Sequence, residues 1–189
     1  MSSHDTGSHP GVLDETRIMD VEKEQQSAST TNILFVCLGN ICRSPLAEAI
    51  FLNQACLAGV EDQFKVDSAG TGHWHAGEQA DPRTIEIARR NNVTINSLSR
   101  QITNKDFKHY DLILAMDQNN LLELQTRCPQ KYHHKLKLMR TYDRPENYGA
   151  DVPDPYWSSD DGFERLFKML SRCCLQLLKS LMASTDESL

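Results

Sequence analysis

An apolar run, Ile33-Leu34-Phe35-Val36, ends on Cys37, and a helix-like stretch opens soon afterwards at Ser44-Pro45. That order commits this part of the chain to a strand–loop–helix unit. Ile33–Cys37 has the length and composition of a buried strand. Leu46, Ala49, Ile50 and Leu57 fall at helical spacing across Ser44–Leu57. Pro45 takes the first-turn position, where its missing N–H costs nothing. Between them, Gly39 and Asn40 both tolerate positive φ and are expected to curl the loop back onto the helix N-terminus.

The rest of the chain repeats the alternation. Phe64 and Val66 alternate with Gln63, Lys65 and Asp67, as in a strand. Asp81-Pro82 reads as an N-cap and first turn for a helix through Arg90. Asp111–Met116 is a third strand, followed by a helix through Arg127, and Leu136–Met139 is a fourth strand. Phe163, Leu166, Phe167, Leu170, Cys174, Leu177, Leu178 and Leu181 form a helical stripe, capped by Asp160 or Asp161. Strands alternating with helices imply a parallel α/β sheet. Ligands bind such sheets beyond the carboxyl ends of the strands, where Cys37 lies.

Length and charge set the limits. The chain has 189 residues, enough for one domain. Residues 1–31 carry Asp5, Asp14, Glu15, Asp20, Glu22 and Glu24 against Arg17 and Lys23. With few aliphatics, this acidic N-terminal extension is expected to be disordered. It has no apolar signal region, and its acids argue against an organelle transit peptide. The net charge of −6 argues against a nucleic-acid partner. The sequence has no run long and apolar enough for a membrane span. Six cysteines without a secretory signal read as reduced thiols in the cytoplasm.

The loop has a definite chemistry. A helix N-terminus offers unpaired N–H groups and the positive end of a dipole, and a loop curling into it aims several N–H groups at one anion. Arg43 adds a planar fork that fits two phosphate oxygens. The same field favours a thiolate at Cys37, and Ser44 Oγ is placed to donate to it. Departure of a phenolate or alkoxide also needs an acid. Asp154 is the candidate, because Pro153 and Pro155 hold it extended, with Asp151 as a nearby rival. Cys37 and Cys42 with His73 and His75 match no common zinc spacing, so no metal is expected.

These residues resemble a known family. Val36-Cys37-Leu38-Gly39-Asn40-Ile41-Cys42-Arg43-Ser44-Pro45 is similar to the phosphate loop of the low-molecular-weight protein tyrosine phosphatases. Asp67-Ser68-Ala69-Gly70-Thr71, Ser99-Arg100-Gln101-Ile102-Thr103, Ala115-Met116-Asp117 and Asp154-Pro155-Tyr156 follow in the family's order. The resemblance implies a three-layer fold: a four-stranded parallel sheet with helices on both faces and the phosphate loop after strand 1. The phosphatase domain would span 32–184, with a short tail at 185–189. It implies no cofactor, with Cys37 as nucleophile, Arg43 as phosphate clamp and Asp154 as general acid in a cysteinyl-phosphate mechanism. Leu38, Gly39, Asn40, Ile41, Cys42 and Ser44 would complete the phosphate-binding loop, with Asn40 holding its backbone, Ser44 assisting the thiolate and Ser68 bonding Asn40. Cys42 would trap oxidised Cys37 as a disulfide. Trp74, Tyr156 and Trp157 would wall the pocket and stack on a phosphotyrosine ring.

The implied substrates are phosphotyrosine proteins or small aryl phosphates, and a monomer is expected. Two positions depart from the family pattern: Trp157, where a second tyrosine is common, and Asn91, where many members have a histidine tied into the loop's hydrogen bonds. Three alternatives stay open. An arsenate reductase on this fold needs two further cysteines close together, and none lies between Ser68 and Arg127. An arginine phosphatase usually carries threonine where Ile41 stands, and isoleucine leaves more apolar room. A non-catalytic phosphate-binding module would lack one of the chemical groups present here.

Overall fold

The computed structural model describes residues 30–157 and 160–186. The expected disorder of the N-terminal extension therefore falls, from 1 to 29, outside the described residues. Thr31, its last residue, already belongs to the sheet, where it stands opposite Phe64. Four strands, β1 (Thr31–Cys37), β2 (Phe64–Gly70), β3 (Leu112–Ala115) and β4 (Leu136–Leu138), form one parallel sheet in the order β2-β1-β3-β4. Among the described residues five α-helices accompany them: α1 (Arg43–Leu57), α2 (Pro82–Arg90), α3 (Asn104–His109), α4 (Gln118–Arg127) and α5 (Asp160–Asp186). The chain leaves β1 to opposite sides, towards β2 and later β3. The crevice above the end of β1 is therefore the switch point at which parallel sheets bind ligands.

Period-two alternation along β1 divides the interior into two cores. Ile33, Phe35 and Cys37 face one side with Leu112 and Leu114 of β3, under α1, α2 and α5. Leu34 and Val36 face the other with Ile113 and Ala115, under α3 and α4. β1 reads as a continuous apolar run because both faces are covered. On the first side Phe51 meets Phe64 edge-on, ring centroids 5.2 Å apart. The stripe of α5 fills the same core, and Leu166, Leu170, Cys173, Cys174, Leu177 and Leu178 are all buried.

The helix boundaries follow local chemistry. Asp81 caps α2 by accepting the Arg83 N–H at 2.8 Å, with Pro82 at the first position. Asp117 caps α4 by accepting the Asn120 N–H at 2.6 Å. α5 begins at Asp160, so the two acids expected as its cap stand in its first turn, and position 159 lies outside the described residues. The helix continues through Asp186, into the expected tail. α3 was not anticipated. It has only one and a half turns, fixed by Asp106, whose carboxylate accepts the Thr103 N–H at 2.6 Å and its hydroxyl at 3.0 Å.

Leu170 is fully buried where α5 meets the sheet. Leu170→Ala is expected to cost about 2–5 kcal/mol, read as a lower urea midpoint at unchanged m-value.

Candidate active site

The loop from Cys37 to Ser44 is built around Asn40, whose φ of 55° places it in the left-handed region. Gly39, which also tolerates that conformation, does not adopt it. One asparagine makes the turn, because its short polar side chain bonds locally and offsets the steric cost. Its own N–H donates to Cys37 Sγ at 3.2 Å. Gly70 allows the loop to lie this close to the end of β2, since a Cβ there would stand 2.8 Å from the Leu38 carbonyl oxygen.

The Asn40 side chain sets the direction of every proton around it. Oδ1 accepts the Arg100 backbone N–H at 2.8 Å, which can only donate, so the amide nitrogen must face the other way. Nδ2 donates to Ser44 Oγ and to Ser68 Oγ, each at 2.9 Å. Both hydroxyls must then point their own protons elsewhere. Ser44 Oγ lies 3.0 Å from Cys37 Sγ, with a longer alternative in the Ala69 carbonyl at 3.4 Å. Ser68 donates to Glu48 Oε2 at 2.6 Å, and Ser97 donates to the same oxygen at 2.9 Å. Facing a thiolate, Ser44 therefore donates, and the sulfur holds two hydrogen bonds.

Cys42 stands at the start of α1, which has no side-chain cap, so the first-turn N–H groups face the loop. Burial pushes the Cys42 thiol up to about 12, and the nearby Asp81, Cys37 and Asp154 add to the effect. Arg43 is only 3 % exposed. Its Nη1 donates to Asp117 Oδ2 at 2.5 Å and to the Val152 carbonyl at 3.2 Å, and Nη2 donates to Asp154 Oδ2 at 2.7 Å. Burial opposes its charge, but Cys37, Asp154 and Asp117 outweigh that and raise its pKa above the ordinary value.

A cleft of about 250 Å³ opens over this arrangement, lined by Cys37, Leu38, Gly39, Ile41, Cys42, Arg43, Trp74, His75, Asp154, Tyr156 and Trp157. Asn40, Ser44 and Ser68 lie buried behind it. The Trp74 ring packs onto Gly72, where any Cβ would collide with it at 2.2 Å. Trp157 is 93 % exposed, and its ring stands edge-on to Tyr156 at 5.0 Å. Asp151, the rival acid, accepts the Gln118 N–H at 2.8 Å and is not among the cleft residues.

Several site residues had no role assigned from the sequence. Asp117 holds Arg43 while capping α4, and its signal was the family-like motif Ala115-Met116-Asp117. His75 lines the cleft with Nδ1 2.6 Å from Glu78 Oε2. Ser99 Oγ donates to the Gly39 carbonyl at 3.1 Å. Asn91 donates to the Ile87 carbonyl at the end of α2, so loop support comes from Ser97, Ser99 and Arg100 instead.

Fold and site together define a class: a doubly wound parallel α/β protein with a thiol on the floor of an anion-binding loop after its first strand. Residues 32–187 match the family model "Low molecular weight phosphotyrosine protein phosphatase". The protein of that name from Schizosaccharomyces pombe is 43% identical over 150 residues, covering 79% of this chain and 96% of the relative. The crystal structure of a protein tyrosine phosphatase from Entamoeba histolytica is similar with a TM-score of 0.79 at 37% identity, covering 82% of this chain and 99% of that one. YwlE, an arginine phosphatase, is similar with a TM-score of 0.74 at 29% identity, covering 80% and 96%. The chain belongs to the low molecular weight phosphotyrosine protein phosphatase family.

Burial raises the Glu48 pKa, against the hydroxyls of Ser68 and Ser97 that favour its charge. A carboxyl with a raised folded-state pKa binds more protons folded than unfolded, so its contribution to stability falls as pH rises through that pKa. Glu48→Gln keeps an acceptor for both serines without the buried charge. Its stability relative to wild type should therefore increase from acid towards pH 8. Glu48→Ala strands two hydroxyls and should cost about 1–3 kcal/mol. Urea unfolding of the three proteins across pH 5–8 checks both.

Proposed function

We propose that this protein hydrolyses phosphotyrosine and related aryl phosphate monoesters through a cysteinyl-phosphate intermediate. The observation that carries this reading is the cleft itself. Cys37 Sγ sits at its floor with two hydrogen bonds, and the Arg43 guanidinium and Asp154 carboxylate meet 2.7 Å apart in the same space. The phosphoryl oxygens take the loop N–H groups and Arg43. The Cys37 thiolate attacks phosphorus, an S–P bond forms and the P–O bond to the phenol breaks. Asp154 in its protonated form gives its proton to the departing oxygen. Asp154, now ionised, takes a proton from water, whose oxygen attacks phosphorus. The S–P bond breaks, releasing inorganic phosphate and the thiolate.

The wall supports an aromatic ester. Ile41, Trp74, Tyr156 and Trp157 give the cleft apolar and aromatic lining against which a phenyl ring can stack. The arginine-phosphatase relative keeps a phosphoguanidine substrate in view, and Ile41 in the cleft favours the flat ring. Phosphotyrosine proteins are the natural partners of such a cleft. A free thiol nucleophile works in a reducing compartment, and a cytoplasmic monomer completes the reading. Among the described residues no helix is long and apolar enough to cross a membrane. Cys42, next to the nucleophile in the cleft, is the candidate to capture oxidised Cys37 as a disulfide.

Cys37→Ser is expected to abolish phosphate release from p-nitrophenyl phosphate, and full activity in that variant would sink the mechanism. Asp154→Ala should lower kcat for phenyl phosphate by about 10²–10⁴-fold while leaving substrate binding intact. In a direct comparison of free phosphotyrosine with phosphoarginine, kcat/KM should favour phosphotyrosine, and the reverse order would reassign the substrate.

A further inference from the structure

The first turn of α2 touches both halves of the site through one side chain, Arg83. Its Nε donates to Asp81 Oδ1 at 3.0 Å and its Nη2 to Asp81 Oδ2 at 2.8 Å. Asp81 in turn donates its N–H to the Ile41 carbonyl at 2.8 Å, so this carboxylate is fastened to the phosphate loop. The third nitrogen, Nη1, donates to the Tyr156 carbonyl at 3.1 Å. The guanidinium lies over two rings, 4.7 Å from the centroid of Phe163 on α5 and 5.6 Å from that of Tyr156 in the acid-bearing segment. The Tyr156 N–H donates to Asp154 Oδ1 at 3.1 Å. The contacts form a closed ring, from Ile41 through Asp81, Arg83 and Tyr156 to Asp154, and back through Arg43. The hydrogen bonds from Arg83 hold the Asp81 carboxyl below its ordinary range, so both members of the pair remain charged.

We infer that Arg83 is the positioning residue of the general acid, tying the 152–157 segment to the phosphate loop so that Asp154 meets the leaving oxygen. The inference rests on the reading of Asp154 as the acid. Arg83 is not among the residues lining the cleft, so it acts on the chemistry only through Tyr156 and Asp154. The role needs a planar fork. A lysine carries a single ammonium, which reaches Asp81 or the Tyr156 carbonyl but does not hold both in one plane.

A displaced acid is felt most when the leaving group is poor. The test is therefore kcat/KM for phenyl phosphate against 2,4-dinitrophenyl phosphate, whose phenolate leaves without help. Arg83→Ala should lower the phenyl ester about ten-fold more than the dinitrophenyl ester, a part of the ~10²–10⁴ that a placed acid contributes. Competitive inhibition by inorganic phosphate should change less than two-fold, and Arg83→Lys should fall between wild type and alanine. In an Asp154→Ala background, Arg83→Ala should add no further dependence on the leaving group. An equal fall for both esters, a phosphate inhibition that weakens as much as turnover, or no fall at all overturns the assignment. Should the alanine variant not fold, Arg83→Lys, which keeps the charge and the stem, carries the same comparison. A wild-type protein that hydrolyses neither ester would instead remove the phosphatase reading itself.

Discussion

The side-chain amide of Asn40 is the contact on which the site depends. A backbone N–H that can only donate fixes one end of it, and two serine hydroxyls read the other end. Because a hydroxyl that accepts one bond turns its own proton elsewhere, the orientation passes outward in two directions. One branch ends on the Cys37 sulfur and the other on the Glu48 carboxylate. The loop thus keeps a left-handed residue without a glycine, and the strain of that backbone is offset by four hydrogen bonds from a single side chain and its own N–H.

Much of this was legible in the sequence. Cys37, Arg43 and Ser44 lie within one short segment between a strand and a proline-opened helix, so their proximity needs no knowledge of the fold. Asp154 stood out because prolines flank it. The alternation of apolar runs was enough for a parallel sheet, since β1 and β3 are covered on both faces and read as unbroken apolar stretches. What was not legible depends on strand order. Glu48, Ser97, Arg100 and Asp117 come from three separated segments and meet only because β2 and β3 flank β1. The sequence alone does not show which partner each of them will find. α3 escaped notice because a helix of one and a half turns shows no periodicity, although Thr103 and Asp106 had the spacing of a capping box. Gly39 and Asn40 were read as equals, yet only the residue with a side chain to anchor the turn adopts positive φ.

Electrostatically the site is a balance around one buried cation. Arg43 is nearly inaccessible to water, so its charge must be met inside the protein, and two carboxylates and a carbonyl meet it. Asp117 is held rigidly by its second role as a helix cap. Asp154 lies on a loop, is more exposed, and is held through its other oxygen by a neighbouring backbone N–H. One carboxylate is thus a fixed counter-ion and the other sits at the rim, able to exchange partners as a phosphoryl group arrives. A firmly held carboxylate and an adjustable one follow from the same guanidinium.

That guanidinium also ties the site to the order in which the chain is made. Cys37 and Arg43 emerge from the ribosome early, within the first strand and helix, whereas Asp117, Val152 and Asp154 follow much later. Until they do, the loop cation has none of its protein partners, although β1 and β2, the strands that α1 lies against, are already made. A nascent chain that ends before Asp117 therefore carries Cys37 and Arg43 with none of the groups that hold the guanidinium. The site is thus assembled across the chain, because its cysteine and the groups that hold its arginine lie far apart in sequence.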